Sequence, residues 1–237
     1  MEKVKIVILA GGKGTRLKPL TETVPKPLVT LNGKPVLEYA MSFCAKNGFK
    51  EFVICTGYKA DMVVSAVNSF KKDDWKIDFV NSGEEASMLK RIIDASEKCS
   101  EKFVVCYGDT VADINLNELI LKHEKNNALI TNVLYQMESP FGLMETNEKG
   151  KIISYKEKPL LPFWFNIGYF VFSKEALNYV KNEDWISFLE QMVKTNRFFA
   201  EKHTGEHITF NTEQEKLCAE KKINVFSHVF EEGVDCK

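Results

Sequence analysis

The chain has 237 residues, of which 44% are hydrophobic, and its 32 basic and 33 acidic residues give a formal net charge of −1. This length suits one α/β domain with added strands, and the apolar fraction is enough for a sizeable buried core. We expect neither nucleic acid nor membrane as a partner, because the first needs an excess of Lys and Arg and the second an apolar run of roughly 20 residues.

The first half of the chain alternates short apolar strands with helical patterns. The predicted strands are Val4–Ala10, Phe52–Cys55, Lys76–Val80 and Phe103–Tyr107, and the predicted helices are Pro35–Asn47, Lys59–Phe70, Ser87–Ser96 and one that begins near Asn115. This alternation indicates βαβ units. It predicts an α/β fold, a three-layer sandwich of Rossmann-like character with a mixed, mostly parallel central sheet.

From Ala128 onward the predicted elements become shorter and less regular. They are strands at Leu129–Tyr135, Gly142–Glu145, Ile152–Tyr155 and Phe165–Phe172, a helix from about Lys174, short strands after Phe198 and a helix over Thr212–Lys221. No internal repeat or low-complexity linker divides the chain, which favours a single domain over residues 1–237.

The cysteines are predicted to be reduced. None of the six forms a Cys-x-x-Cys pair, and the chain is far larger than disulfide-stapled secreted domains. Cys55 and Cys106 lie inside predicted strands, where a free thiol packs as a small apolar side chain. Residues Met1–Lys5 do not lead into a segment typical of a signal peptide, so a cytoplasmic location is expected.

A glycine-rich segment, Gly11-Gly12-Lys13-Gly14-Thr15-Arg16, follows the first predicted strand. Three glycines in four positions let the backbone approach a ligand closely and expose its amide groups. With Lys13 and Arg16, those amides form a cradle suited to phosphate oxygens. The spacing matches neither a Walker loop nor Gly-x-Gly-x-x-Gly. Taken alone, the segment is equally typical of a tight turn.

A lysine between two prolines, Pro25-Lys26-Pro27, follows the glycine-rich segment. The prolines restrict the backbone, so that the amine of Lys26 is presented in a defined direction. By itself Lys26 is typical of an exposed loop lysine, but beside the glycine-rich segment a role in ligand binding is favoured.

The segment Gly11–Leu28 resembles the signature loop of the nucleotidyltransferases that make nucleoside-diphosphate sugars, in which a Gly-rich turn and Thr-Arg-Leu precede Pro-Lys-Pro. The resemblance runs from about residue 4 to about residue 175 and is nearest to the glucose-1-phosphate cytidylyltransferase branch. The segments similar to that branch are Cys55–Lys59, Leu89–Arg91, Tyr107–Asp113, Phe141-Gly142, Glu157–Pro159 and Asn166–Gly168.

The resemblance implies a Mg²⁺-dependent enzyme that condenses a nucleoside triphosphate, with CTP favoured, and a sugar 1-phosphate into a nucleoside-diphosphate sugar and pyrophosphate. It also implies a homo-oligomer that supplies activated precursors for surface polysaccharides. Residues 1–125 would form the nucleotide-binding half, and residues 126–237 the acceptor-binding half with a C-terminal extension. Since both substrates are polyanions, the site must neutralise charge and align them in line.

The resemblance also implies residue roles. Arg16 would hold the triphosphate and the developing pyrophosphate, Lys26 would contact the α-phosphate region, and Lys158 would hold the phosphate of the second substrate. The implied nucleotide-binding residues are Leu9, Ala10, Gly11, Gly12, Gly14, Thr15, Arg16, Lys26, Ser82, Gly83 and Asp109. The implied acceptor-binding residues are Phe141, Gly142, Glu157, Lys158 and Asn166.

Asp109 is the first candidate metal ligand. It lies just past the carboxyl end of a predicted buried strand, where open α/β sheets place their ligands, and a carboxylate there suits Mg²⁺. Gly-Asp after a strand is also ordinary turn chemistry. Asp113 is expected to help start the helix near Asn115. Asn166 lies on an apolar strand, so its amide is predicted to be buried and to need a ligand hydroxyl or a backbone group as its partner.

The base is expected against the backbone of Leu9–Gly12 and the turn at Asn81–Gly83. Tyr58 and Lys59 are expected nearby, unless Tyr58 is only a packed aromatic side chain. The histidines show no metal-ligand spacing and are predicted to be ordinary surface or core side chains; they are His123, His203, His207 and His228.

Three segments depart from the family pattern. Glu84–Met88 replaces a longer Gly-containing stretch of the cytidylyltransferases, which leaves the base preference open. Asn211, in Phe210-Asn211-Thr212, stands where relatives carry a second metal-binding aspartate, so it is the second metal candidate, with an oxygen but no charge. Leu160–Phe165 is unusually apolar and indicates a less polar substrate or a subunit contact.

Two kinds of alternative stay open. The same chemistry could use dTTP, UTP or GTP, or a phosphorylated amino alcohol as the acceptor. A non-catalytic nucleotide-binding regulator is the alternative from another class, favoured by the lost charge at Asn211. The four residues that speak for catalysis are Arg16, Lys26, Asp109 and Lys158.

Overall fold

A computed structural model of the chain describes residues 3–225. The strands in this range are β1 (Lys5–Leu9), β2 (Thr30–Leu31), β3 (Lys34–Pro35), β4 (Glu51–Thr56), β5 (Lys76–Asn81), β6 (Lys102–Tyr107), β7 (Val111–Ala112), β8 (Ile130–Tyr135), β9 (Leu143–Thr146), β10 (Ile152–Lys156), β11 (Phe165–Ser173), β12 (Phe198–His203) and β13 (His207–Ile208). The helices are α1 (Leu20–Thr23), α2 (Val36–Lys46), α3 (Ala60–Phe70), α4 (Met88–Ser96), α5 (Leu116–Lys125), α6 (Trp185–Lys194) and α7 (Glu213–Val225). Short 3₁₀ segments occur at Thr15–Leu17, Lys26–Leu28 and Lys174–Tyr179.

The largest sheet in the described range has seven strands in the order β12-β8-β11-β6-β1-β4-β5. Strand β11 runs antiparallel to both of its neighbours, and the other pairings are parallel. The predicted mixed, mostly parallel sheet is therefore confirmed. Leu9 at the end of β1 is in register with Cys55 of β4 and Tyr107 of β6, so the carboxyl ends of these strands share one edge.

Helices cover both faces of this sheet, which gives the predicted three layers. Successive side chains of a strand point to opposite faces. Ile6 and Ile8 of β1 pack in one buried cluster with side chains of α2, α3 and α5. Val7 packs in a second cluster with side chains of α4 and α6. The apolar run of β1 is thus buried on both faces, as expected for a central parallel strand.

The helix predicted from about Lys174 does begin there, but only as a short 3₁₀ helix. Lys174–Tyr179 is a 3₁₀ segment that ends where Val180 becomes extended, and α6 begins only at Trp185. The start of α6 is fixed by Asp184, whose carboxylate accepts a hydrogen bond from the backbone N–H of Ser187 at 2.7 Å. That bond lowers the pKa of Asp184. The N-cap, rather than the apolar pattern upstream, sets this boundary.

Asp113 does not start α5. The N-cap is Asn115, whose side-chain oxygen accepts from the N–H of Glu118 at 3.1 Å. Asp113 instead accepts a hydrogen bond from the N–H of Glu206 at 2.7 Å and lies 3.0 Å from the imidazole of His203. It therefore ties the start of α5 to the turn between β12 and β13.

The cysteines in the described range are free thiols: Cys44, Cys55, Cys99 and Cys106 are buried, and Cys218 is exposed. Burial raises the pKa of Cys55 to about 12 and that of Cys99 to about 11, so these thiols stay protonated at neutral pH. Cys236 and His228 lie outside the described residues. None of the helices between residues 3 and 225 combines the length and hydropathy that a bilayer crossing needs.

Two histidines belong to the core and are neutral there. His123 is 1% exposed and makes hydrogen bonds of 2.9 Å with the hydroxyls of Thr131 and Ser173. His207 is buried beside Tyr135. Burial lowers the pKa of each imidazole to about 4.

We expect the free energy of unfolding to fall by about 2 kcal/mol for each of these histidines between pH 7 and about pH 5. In that range an unfolded histidine, whose ordinary pKa is 6.5, becomes protonated, whereas the buried imidazole of the folded protein stays neutral. Stability is therefore complete above the ordinary pKa and is lost as the pH falls toward 4. Urea unfolding at a series of pH values measures this slope. His123→Gln should make it shallower, and an unchanged slope would contradict the assignment.

Candidate active site

The glycine-rich segment forms a fixed loop at the carboxyl edge of the sheet, directly after β1. Gly14 has a φ of 59°, in the left-handed region that favours glycine, and an added Cβ there would lie 3.0 Å from the Cβ of Lys26. The Gly14 carbonyl accepts from the hydroxyl of Thr21 at 2.9 Å and from the N–H of Leu17 at 3.0 Å. The bond from Thr21 holds the loop against α1.

Tyr58 lies beside the glycine-rich loop as expected, since its N–H donates to the carbonyl of Gly11 at 2.9 Å, and its side chain and that of Lys59 also support α1. The Tyr58 hydroxyl donates to the carbonyl of Thr21 at 3.1 Å. The Lys59 ammonium donates to the carbonyls of Glu22 at 2.6 Å and Thr23 at 2.9 Å. These bonds satisfy carbonyls that a four-residue helix leaves free, and they brace the loop from outside.

Lys26 is 7% exposed, and two predicted metal ligands surround its ammonium group. The Nζ atom lies 2.5 Å from Oδ2 of Asp109 and donates to Oδ1 of Asn211 at 3.1 Å. The ring of Phe210 lies 5.6 Å from the same Nζ. Asn211 reaches this position because β13 pairs with β7 just after Asp109. The fold thus brings together three predicted residues that are far apart in the chain.

The arrangement of Asp109 and Asn211 fits a magnesium ion. Both present a side-chain oxygen to one cation, the Lys26 ammonium. Mg²⁺ is typically held by one or two protein ligands and completes its shell with water and phosphate oxygens. Within residues 3–225 no group of three acidic, His or Cys side chains forms a metal cage, so the protein's share of such a shell would be this pair.

A cavity of about 500 Å³ opens above this edge of the sheet. Its lining contains Leu9, Gly11, Gly12, Lys13, Gly14, Arg16, Lys26, Pro27, Glu84, Glu85, Ala86, Met88, Arg91, Tyr107 and Asp109. Of the other predicted nucleotide-binding residues, Ala10 is buried below the loop and Thr15 is exposed. Ser82 and Gly83 lie outside the lining, where Glu84–Ala86 take their place.

Lys13 lies across the mouth of this cavity. Its ammonium is 2.5 Å from the carboxylate of Glu85 and 3.4 Å from that of Glu84. The hydrogen bond to Glu85 raises the pKa of Lys13. The segment that departs from the family pattern therefore contacts the glycine-rich loop through an ion pair at the surface.

Arg91 lines the cavity, although the sequence suggested no role for it beyond membership of the family-like segment Leu89–Arg91. Its Nη1 donates to the carbonyl of Thr56 at 2.6 Å and its Nη2 to the carbonyl of Glu84 at 3.2 Å. A Cβ added to Gly11 or Gly57 would lie 2.2 or 2.3 Å from Nη1, so only glycine leaves room for the guanidinium. The sequence signal was an arginine on the apolar face of a predicted amphipathic helix.

A larger groove, of about 650 Å³, lies at the opposite edge of the sheet. Its lysines are paired with acidic side chains: Lys3 with Glu51, Lys50 with Asp74 and Lys102 with Glu124. None of the predicted site residues lines this groove, whereas the glycine-rich segment, Lys26 and Asp109 line the smaller cavity, so the smaller cavity is the candidate active site.

The predicted acceptor residues flank a hairpin of β9 and β10: Phe141 and Gly142 precede it, Glu157 and Lys158 follow it, and Asn166 lies on β11. The carboxylate of Glu157 accepts a hydrogen bond from the Tyr155 hydroxyl, and both side chains pack on Gly142. Phe141 and Lys158 are exposed, and Lys158 has a φ of 42°. An antiparallel β-bridge between Glu138 and Leu160 joins the two chain segments that flank the hairpin.

Asn166 is exposed, so the prediction of a buried amide is wrong. Its Oδ1 accepts from the N–H of Gly168 at 2.8 Å, which is the backbone partner foreseen for it. Its Nδ2 donates to the hydroxyl of Tyr107 at 3.5 Å. Because the Tyr107 ring lines the cavity, this contact links the acceptor side to the candidate active site.

Large apolar side chains are exposed around the hairpin. They include Phe141, Met144, Ile153, Leu160 and Phe163. Clusters of this kind are typical of contact surfaces. The homo-oligomer implied by the resemblance stays a prediction.

Residues 5–207 match the family described as nucleotidyl transferase. Similar proteins include a probable glucose-1-phosphate cytidylyltransferase of Bacillus subtilis, 30% identical over 93% of this chain and 96% of that protein. A UTP–glucose-1-phosphate uridylyltransferase of Synechocystis is 28% identical, and the match covers 75% of this chain and 51% of that relative. A D-glycero-alpha-D-manno-heptose 1-phosphate guanylyltransferase of Campylobacter jejuni is 30% identical over 79% of this chain and 84% of that protein.

The fold is also similar to solved structures. HddC from Yersinia pseudotuberculosis superposes with a TM-score of 0.75 at 24% identity, covering 94% of this chain and 100% of that one. The same protein complexed with GMP-PN gives a TM-score of 0.76 at 23% identity, with the same coverage. At this identity the likeness concerns the fold.

Proposed function

The chain belongs to the nucleotidyl transferase family, and on this premise we propose that it transfers a cytidylyl group from CTP to a sugar 1-phosphate and releases pyrophosphate. The observation that carries the proposal is the convergence of Lys26, Asp109 and Asn211 below a glycine-rich loop that opens into a cavity. The preference for CTP is supported by the Bacillus subtilis relative, which matches nearly from end to end.

In the proposed reaction an oxygen of the sugar phosphate attacks the α-phosphorus of CTP. A new P–O bond forms, the bond to the β-phosphate breaks, and pyrophosphate leaves with the electron pair. Transfers of this kind need little covalent help from the protein, because positioning and electrostatic stabilisation supply most of the rate. The protein must therefore hold two polyanions in line.

Different cations of the candidate site hold different phosphates of the substrates. The amides of the glycine-rich loop and the side chain of Arg16 hold the β- and γ-phosphates and the leaving pyrophosphate. Lys26 contacts the α-phosphate, where its buried ammonium acts in a medium of low dielectric constant and is therefore effective. In the free protein Asp109 compensates this charge and keeps the ammonium in place.

Asp109 and Asn211 would hold Mg²⁺, which when bound supplies positive charge to the phosphate oxygens. On the hairpin side, Lys158 would bind the phosphate of the acceptor. Glu157 and Asn166, with Phe141 and Gly142, would bind the sugar, whose hydroxyls suit carboxylate and amide partners.

The direct assay is release of pyrophosphate in the presence of Mg²⁺, with five nucleotides (CTP, UTP, dTTP, GTP and ATP) tested against a panel of sugar 1-phosphates. We expect acceptor-dependent release that is greatest with CTP. A panel member that carries a phosphorylated amino alcohol tests the acceptor class, and reactions without acceptor measure hydrolysis.

Each other outcome has a distinct meaning. Preference for UTP, dTTP or GTP would contradict the assignment of the base but not the chemistry. Response to the amino alcohol alone would contradict a sugar acceptor. Nucleotide binding without any release of pyrophosphate would favour the non-catalytic regulator.

A further inference from the structure

Arg91 carries a buried positive charge that no carboxylate among the described residues compensates. Its side chain is 4% exposed, and within residues 3–225 it forms no ion pair. Its hydrogen bonds go to two backbone carbonyls, those of Thr56 and Glu84. A guanidinium has five N–H donors, and a buried charge without a counter-charge is costly. The group is therefore suited to an acceptor that is not part of the chain.

The sheet order places this charge away from the reacting phosphate. Asp109 follows β6, the glycine-rich loop follows β1, and Thr56 ends β4, in the order β6-β1-β4. The guanidinium lies between Gly11, after β1, and Thr56, at the end of β4. Since neighbouring strands lie about 4.8 Å apart, it is more than one strand spacing, about 5–10 Å, along the sheet edge from Asp109. Lys26 and Asp109 mark the α-phosphate end of the cavity, so Arg91 lies at the end left for the nucleoside.

The groups at that end form an ordered pattern of donors and acceptors. The guanidinium supplies adjacent N–H donors, and the carbonyl of Glu84, 3.2 Å from Nη2, supplies an acceptor beside them. Cytosine presents the complementary order: O2 and N3 accept, and the N4 amino group donates. Uracil has N–H at position 3, which opposes a donor, and the corresponding edge of guanine has one acceptor followed by two donors.

We propose that Arg91 is a specificity-determining residue that reads cytosine by donating to O2 and N3, with the Glu84 carbonyl accepting from N4. This inference rests on the proposed function, because it assumes that the cavity holds a nucleotide. Glycine is then required at positions 11 and 57, because a side chain at either position would displace the guanidinium of Arg91.

The first test compares kcat/KM for CTP and UTP at a fixed sugar 1-phosphate in wild type, Arg91→Met and Arg91→Lys. A bidentate contact to a base edge discriminates by roughly tenfold or more. We therefore expect the CTP/UTP ratio to fall at least about tenfold in Arg91→Met and less in Arg91→Lys. Arg197→Lys is the matched control, because Arg197 pairs with Glu175 outside the cavity; its ratio should equal that of wild type.

A second measurement gives its main result on wild-type protein, and that result is independent of whether the variants fold. In 3-deaza-CTP a C–H group replaces N3, so wild type should use it at least about tenfold less well than CTP. In Arg91→Met the two nucleotides should be used equally. Equal use of both by wild type would overturn the proposal, as would an equal loss of CTP and UTP activity in a folded Arg91→Met.

Calorimetric titration with CMP and UMP separates this inference from the proposed function. Tighter binding of CMP by wild type, lost in Arg91→Met, would support base reading even if no pyrophosphate is ever released. Turnover with equal affinity for CMP and UMP would support the function and overturn the inference. A wild-type preference for UTP or GTP would also overturn it.

Discussion

Replacing Asp109 by asparagine is expected to lower turnover by about 10³-fold while CTP still binds. The carboxylate of Asp109 orients the Lys26 ammonium, and it is the charged member of the candidate magnesium pair. Asparagine keeps the shape of this side chain but removes its charge. Both functions matter most when the transition state forms. The loss should therefore fall on kcat and leave the affinity for CTP within a few-fold.

The measurement pairs steady-state pyrophosphate release with calorimetric binding of CTP. Asp113→Asn is the matched control, because Asp113 lies four residues further along and contacts His203 and Glu206 instead of the cavity. Its turnover should stay within about twofold of wild type, as for a substitution outside the site. Undiminished turnover in folded Asp109→Asn would remove Asp109 from the mechanism.

Replacing Lys26 by alanine is expected to reduce kcat/KM for CTP by about 10²- to 10³-fold. The variant loses the buried cation at the α-phosphate and leaves the Asp109 carboxylate without its ammonium partner. Lys26→Arg should rescue little, because the space beside Gly14 is narrow and a planar guanidinium differs in shape from an ammonium.

Lys18→Ala tests whether this effect is specific to Lys26. Lys18 lies in the same region but is exposed and pairs with Glu22, so its removal should change kcat/KM less than twofold, as surface pairs contribute little. A thermal unfolding curve for each variant checks the fold. If folded Lys26→Ala kept a third or more of wild-type activity, the buried lysine would not be part of the mechanism.

The sequence predicted the parallel half of the sheet well, because its strands are short apolar runs that end in glycine-rich turns. Val4–Ala10 and Phe103–Tyr107 correspond closely to β1 and β6. The strand order could not be predicted, because the pairing of β11 between β6 and β8 depends on contacts between distant segments. The helix expected at Lys174 is divided into a 3₁₀ helix and α6 for a local reason, since the N-cap at Asp184 sets the start of α6.

The candidate site was predictable where its residues come from one motif or one resemblance. Lys26, Asp109 and Asn211 were each singled out, and the pairing of β13 with β7 brings them together. Arg91 was not assigned a role, because its position depends on two backbone carbonyls and on glycines from other loops. Asn166 was predicted to be buried because its neighbours are apolar, and the sequence does not show that β11 begins at an exposed position.

The measurement that tests the central claim most directly is the pyrophosphate assay run in ¹⁸O-labelled water with CTP and the responding sugar 1-phosphate, followed by mass spectrometry. Attack by the sugar phosphate on the α-phosphorus forms a P–O bond to an oxygen that the sugar phosphate already carries, so the account predicts a CDP-sugar and pyrophosphate that both lack ¹⁸O. Labelled CMP or labelled pyrophosphate, without a CDP-sugar, would identify water as the nucleophile and contradict nucleotidyl transfer.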